Sequence, residues 1–182
     1  MSLHVDVSAV PSAPVVEALA RLAERQRGAT RHRQPVAMIG PGDGGPRECA
    51  AARTVATHLA RAGMAVICGG RGGVMAAAAQ GATEAGGIAI GILPEEDDRN
   101  ANPWLSVAVP TGMGEMRNAV IARSGVCLVA IGGGMGTLSE MALGLKWGKP
   151  VFVMYGDVAL PGAVKAARTD ELLGRIAECL LR

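Results

Sequence analysis

The chain has almost no aromatic side chains: Trp104, Trp147, Phe152 and Tyr155 are the whole complement among 182 residues. Stacking platforms for single-stranded nucleic acid are therefore nearly absent. Lysine is as scarce, at Lys146, Lys149 and Lys165, and Lys146 and Lys149 lie away from the glycine-rich turns, which argues against a pyridoxal Schiff base there. The cysteines Cys49, Cys68, Cys127 and Cys179 form no CxxC pair, and His4, His32 and His58 are equally scattered. No metal site is expected, and the thiols read as buried and reduced. GKS and GKT do not occur, which excludes a Walker loop. No apolar run approaches membrane-span length, and Met1 to Ala13, with His4 and Asp6, has no continuous apolar stretch that would make a signal peptide. A soluble, cytoplasmic protein is the expectation. Charge of one sign is lacking too: the net value is +2, and the excess lies wholly in the first 34 residues, so neither a nucleic-acid face nor a membrane partner is expected.

What is present is glycine, 26 residues of it, in a chain that is 49% hydrophobic. That composition describes a folded, core-bearing chain of about one domain. Residues 1–34 read as an N-terminal extension, in which Val15, Leu19 and Leu22 recur at helical spacing between Pro14 and Gly28. A regular alternation fills residues 35–182. Strands are predicted at 36–39, 64–68, 88–92, 107–109, 126–131 and 151–155, with a short extended piece near 164–167. Helices are predicted at 46–61, 74–85, 113–123, 138–147 and 170–181, the last capped by Thr169. Continuously apolar strands separated by helices belong to a parallel sheet covered on both faces. The expected fold is α/β, a single Rossmann-like doubly wound domain that binds nucleotide.

Three strands run into glycine: GPGDGG (40–45), GGRGG (69–73) and GGGMG (132–136). In a doubly wound sheet these mouths share the ligand-binding edge. Gly40, Gly42 and Gly45 satisfy GxGxxG, but the dinucleotide pattern also needs an acid at the end of the second strand, where Cys68, Gly69 and Gly70 stand. A dehydrogenase-type site is disfavoured. Gly132 to Glu140, GGGMGTLSE, turns from strand to helix, where converging N–H groups suit a phosphate. Thr137 and Glu140 also fit a capping box, and a helix start would hold Glu140 ionised. A cap alone does not require four glycines before it.

The GGGMGTLSE segment resembles the PGGxGTxxE signature of the LOG family, whose studied members are phosphoribohydrolases that release a cytokinin base from its riboside monophosphate. The resemblance runs from about Pro35 to Pro150 and includes GILP (91–94) and the arginine of GEMRN. With GGGxGTLSE, ANP (101–103) and TGMGEMRN (111–118), it is nearest a branch that includes molybdenum cofactor carrier proteins. The resemblance implies Glu140 and Arg117 as catalytic carboxylate and arginine, and Gly133, Gly134, Gly136 and Thr137 as a phosphate cradle. To these the glycine mouths add Gly40, Gly70, Arg71, Gly72 and Met135 as candidate nucleotide contacts. The sequence departs from the signature at Gly132, where proline is usual, and at Asn118, where plant-type members carry lysine. Two functions follow as expectations: hydrolysis of an N-glycosidic bond in a nucleoside 5′-monophosphate, or non-catalytic carriage of a phosphorylated pterin such as molybdenum cofactor. No resident cofactor is expected. A homodimer is, through helices beside the mouth and the apolar Leu143, Leu145 and Trp147.

Overall fold

Strands that are apolar at every position can hide both faces only between two layers of helices. The computed structural model describes residues 10–156 and 160–182; most of the Met1–Ala13 segment lies outside the described residues. The chain runs α1 (Ala13–Arg27), β1 (Val36–Ile39), α2 (Pro46–Arg61), β2 (Val66–Cys68), α3 (Gly73–Glu84), β3 (Ala89–Leu93) and β4 (Val107–Pro110). A 3₁₀ turn (Gly114–Met116) then leads into α4 (Arg117–Ser124), β5 (Leu128–Ile131), α5 (Met135–Lys146), β6 (Val151–Met154), β7 (Val164–Lys165) and α6 (Thr169–Leu181). The seven strands form one sheet in the order β4-β3-β2-β1-β5-β6-β7, with every pair parallel. This is a single doubly wound α/β domain of the Rossmann-like kind.

Alternation along the strands divides the core in two. Val36, Met38, Val66, Val129 and Met154 face α1, α2, α3 and α6, while Ala37, Ile39, Ile67, Leu128 and Val153 face α4 and α5. Helix α1 belongs to the first layer: Val15, Leu19 and Leu22 are buried there against α6. Asp170 ties the two helices, accepting from the Ser12 N–H at 2.7 Å and the Ser12 hydroxyl at 3.0 Å.

Several boundaries differ from the sequence pattern, for local reasons. Helix α6 begins at Thr169, not after it, and no side chain caps it; instead Glu171 reaches back to accept the Ala167 N–H at 2.9 Å. The expected helix over 113–123 splits into the 3₁₀ turn and α4, and positive φ at Gly112 and Gly114 keeps the α-helix from starting at 113. Helix α5 starts three residues before its first predicted position. Glycines in GGGMG concealed that start, because their helix propensity is poor even where the backbone is helical.

Helices α2 and α3 cross at Gly81, where a Cβ would stand 2.2 Å from the Arg53 carbonyl oxygen. Gly81→Ala gains helix propensity but must push two backbones apart, and the clash dominates. A loss of about 1–3 kcal/mol is expected, read as a lower urea midpoint; an unchanged or higher midpoint contradicts this packing.

Candidate functional site

The order of strands reverses between β1 and β5, and a crevice opens beyond their carboxyl ends. Both strands end in glycine for steric reasons. A Cβ at Gly40 would lie 2.4 Å from Val74 Cγ1 and 2.5 Å from the Ile131 carbonyl oxygen, and Gly132 holds φ +72°. Gly133 and Gly134 are different: a Cβ on either meets nothing within 4 Å, and both are exposed. Packing does not require these two glycines. They leave the loop backbone bare in front of α5.

Helix α5 takes Gly134 as its N-cap, with no capping side chain and no acid in the first turn. Its first N–H groups, at Met135, Gly136 and Thr137, precede the ladder that begins with Leu138 N–H to Gly134 O at 2.9 Å. The capping-box alternative therefore fails. Thr137 is the third helical residue and Glu140 the sixth, too far along to cap. The first turn's donors and partial positive charge face the crevice without a capping side chain on them.

Two cavities flank this loop. The smaller, about 360 Å³, is lined by Gly40, Arg71, Arg117, Gly136, Thr137 and Glu140 among others. The larger, about 470 Å³, is lined by Gly133, Met135, Glu48, Leu138, Met141 and Tyr155 among others. Pro41, Asp43 and Gly134 border both. Of the predicted site residues, Gly70 and Gly72 line neither. Gly70 is committed to packing, since a Cβ there would meet Leu93 at 2.4 Å, and Gly72 caps α3.

Arg117 is buried to 7% exposure, so it is no surface arginine at a helix start. Its Nε donates to the Ile92 carbonyl at 3.0 Å and an Nη to the Gly69 carbonyl at 3.5 Å, bridging β3 and the end of β2. The close approach needs Gly69, whose Cβ would stand 2.7 Å from that nitrogen. The other Nη donates to Asn118 Oδ1. Asn118 passes the connection on, donating to Ser139 Oγ at 3.0 Å, which donates to the Gly136 carbonyl at 2.7 Å. The guanidinium is thus linked to the first turn of α5. Arg71 pairs with Glu95 at the cavity rim, and Glu95 Oε2 is buried without a hydrogen-bond partner.

Glu140 is 6% exposed. Burial pushes its carboxyl up to about 8; Arg117 opposes this by attraction and Glu115 reinforces it by repulsion. The expected lowering by the helix start does not occur, because the field of the dipole fades after the first turn and desolvation wins. At neutral pH the group mostly keeps its proton.

The sequence pattern missed Asp43, Glu48 and Tyr155. Tyr155, the sole tyrosine, directly follows β6 at the ligand edge of the sheet and holds a left-handed φ of 62°. Arg47 lies over its ring at 3.9 Å. Its place after a strand was the available signal.

The profile of the SLOG cluster4 family matches residues 33–176. The chain belongs to that family. It is similar to the molybdenum cofactor binding protein of the phototrophic bacterium Rippkaea orientalis, with 33% identity, a TM-score of 0.76, and coverage of 80% of this chain and 97% of the other. The molybdenum cofactor carrier protein of Chlamydomonas reinhardtii superposes as well, with 31% identity, a TM-score of 0.76, and coverage of 82% and 100%. Cytokinin riboside 5′-monophosphate phosphoribohydrolase LOG5 of Arabidopsis thaliana is 32% identical over 125 residues, 62% of this chain and 54% of that protein. This SLOG chain therefore has a nucleotide- or phosphate-binding fold near the carrier branch. Among the described residues no helix is long and apolar enough to cross a membrane.

A carboxyl whose folded value exceeds its unfolded one binds its proton more tightly when folded, so it lowers stability progressively as pH rises from about 4.5 to about 8. Glu140→Gln removes that penalty. Urea unfolding should show the variant gaining on the wild type by roughly 2–4 kcal/mol between about pH 5 and pH 8; a difference that does not change with pH contradicts the buried-acid geometry.

Proposed function

We propose that this protein holds a phosphorylated heterocycle without cleaving it, as a carrier of a phosphorylated pterin such as molybdenum cofactor. The observation that carries the reading is the uncapped start of α5, whose first residues border a cavity shared with Arg117 and the buried Glu140, a carboxyl that desolvation raises. A neutral carboxyl does not repel a phosphate. It also supplies no negative charge to an oxocarbenium-like transition state, which is what N-glycosidic cleavage demands. Arg117 stays charged but gives its donors to Ile92, Gly69 and Asn118, so its role is to add positive potential and to fix the crevice. Gly133, Gly134, Met135, Gly136 and Thr137 hold the phosphate through backbone N–H groups and the threonine hydroxyl. The similarity to two molybdenum cofactor proteins along nearly their whole length supports the same reading.

Hydrolysis is the second reading, and one observation favours it: Arg117 and Glu140 share a cavity in a chain 32% identical to LOG5 over 125 residues. Incubation with a panel of nucleoside 5′-monophosphates separates the two. The carrier reading expects no ribose 5-phosphate, and expects molybdenum cofactor released from a molybdoenzyme to co-elute with the protein on gel filtration. Gly133→Val, which fills the open space over the loop, should weaken that binding by about tenfold or more. Ribose 5-phosphate release that disappears in Glu140→Gln makes the protein a hydrolase.

A homodimer completes the proposal. Leu143, Leu145 and Trp147 are half-buried against the core under α5, so they are not the free apolar face expected of them. The exposed face is Met116 and Met135, at 74% and 85% exposure, which border a shallow apolar hollow with Ala119 and Leu143 beside the mouth. Light scattering at micromolar concentration should give a dimer mass for the wild type and a monomer mass for Met116→Asp/Met135→Asp. A monomeric wild type removes this part of the proposal.

A further inference from the structure

The larger cavity has a lining that a phosphate does not explain. Its volume, about 470 Å³, suits a small heterocycle. Leu138, Met141 and Val153 make apolar walls, while Asp43 and Glu48 enter as carboxylates. Among the described residues neither carboxylate joins an ion pair, since those pairs lie elsewhere. The neighbouring cation is occupied, because the Arg47 guanidinium lies over Tyr155. Tyr155 itself is held in a left-handed conformation at the cavity wall, a costly placement for an aromatic residue and one typical of ligand sites.

Carboxylates accept hydrogen bonds and do not donate them. Two carboxylates beside a phosphate cradle would repel the phosphate end of a ligand, so they select what lies at its other end: a surface of N–H donors. We infer that the ring of the bound ligand enters this cavity and that Glu48, assisted by Asp43, reads an amide N–H adjoining an exocyclic NH₂, the edge shared by guanine and pterin. The two oxygens of Glu48 match those parallel donors as a carboxylate matches a guanidinium fork. Adenine pairs its amino group with a ring acceptor on that edge, and hypoxanthine has no amino group. Each leaves an oxygen of Glu48 unpaired. This inference rests on the reading that the Gly133–Thr137 backbone holds the phosphate, and it adds the class of ring and its orientation.

Glu48 also stands in the first turn of α2, where an acid eases the helix dipole. That role is indifferent to the ligand's ring, which gives the test its discrimination. Calorimetric titrations with GMP, IMP, AMP, neopterin monophosphate and inorganic phosphate are compared in the wild type and in Glu48→Gln. GMP and neopterin monophosphate should each bind about tenfold or more tightly than IMP and AMP. Whichever of the two binds more tightly assigns the ring to a purine or to a pterin. Glu48→Gln should bring both down to the level of IMP without weakening AMP or phosphate, since it removes a repelling charge and its amide can pair with adenine. Equal affinities for GMP, IMP and AMP in the wild type overturn the inference while the cradle stands, and so does a Glu48→Gln loss common to every ligand. Failure of inorganic phosphate to compete with any of them overturns the cradle and the inference together. The wild-type ranking is decisive if the variant does not fold, and Asp43→Asn, altered at the rim, then provides the second variant with a smaller loss confined to GMP and neopterin monophosphate.

Discussion

Neighbouring parallel strands β1 and β5 send the chain away in opposite directions, and the gap they leave must be bridged by backbone that carries no side chains. Gly40 sits against Val74 and the Ile131 carbonyl with no room for a Cβ, and Gly132 turns through a left-handed conformation. Once these two are fixed, the GGGMG loop and the start of α5 have only one place to go. The bare N–H groups of that start face a crevice whose floor is the apolar sheet. The bare N–H groups and their partial charge are therefore set by the switch point, and side chains only refine them.

Electrostatics at this mouth are arranged around fixed positive potential. The α5 terminus contributes partial charge, and Arg117 contributes a full one, locked by carbonyls from β3 and the end of β2 and linked through Asn118 and Ser139 to Gly136. Asn118 is spent on holding Arg117 and linking it to Ser139. Glu140 loses more by desolvation than it gains from Arg117. On the proposed carrier reading, this balance suits a bound dianion rather than a cation-like transition state. Electrostatic preorganisation for cleavage would require the opposite balance.

The layered α/β fold was legible from the sequence because its signals are long-ranged and redundant: apolar strands, intervening helical periods and glycine at the same end of three strands. Boundaries were less legible. Thr137 looked like a cap because Thr-x-x-Glu is a cap in most settings, and the true cap, Gly134, has no side chain to announce itself. Thr169 misled because threonine often caps such a run, whereas here it is already helical and the N-cap is Arg168, whose side chain makes no cap bond. The candidate cluster of Gly40, Arg71, Arg117, Gly134, Gly136, Thr137 and Glu140 came together at one cavity. Gly70 did not, because a glycine required by packing against Leu93 and one left open for a ligand are identical in sequence. The upward shift of the Glu140 carboxyl was beyond sequence, since its burial is set by the folded chain. Asp43 and Glu48 follow β1 and Tyr155 follows β6, and only the folded chain sets them around one cavity.

The claim that the site holds a phosphate without cleaving its bearer stands or falls on the charge of one group. Carboxyl ¹³C NMR of the protein, with Glu140 assigned through its glutamine variant, measures that charge directly. The account predicts a titration midpoint near 8, far above the ordinary 4.5 of a glutamate. A midpoint at or below 4.5 would mean an ionised carboxylate in the cavity beside the cradle and would contradict it.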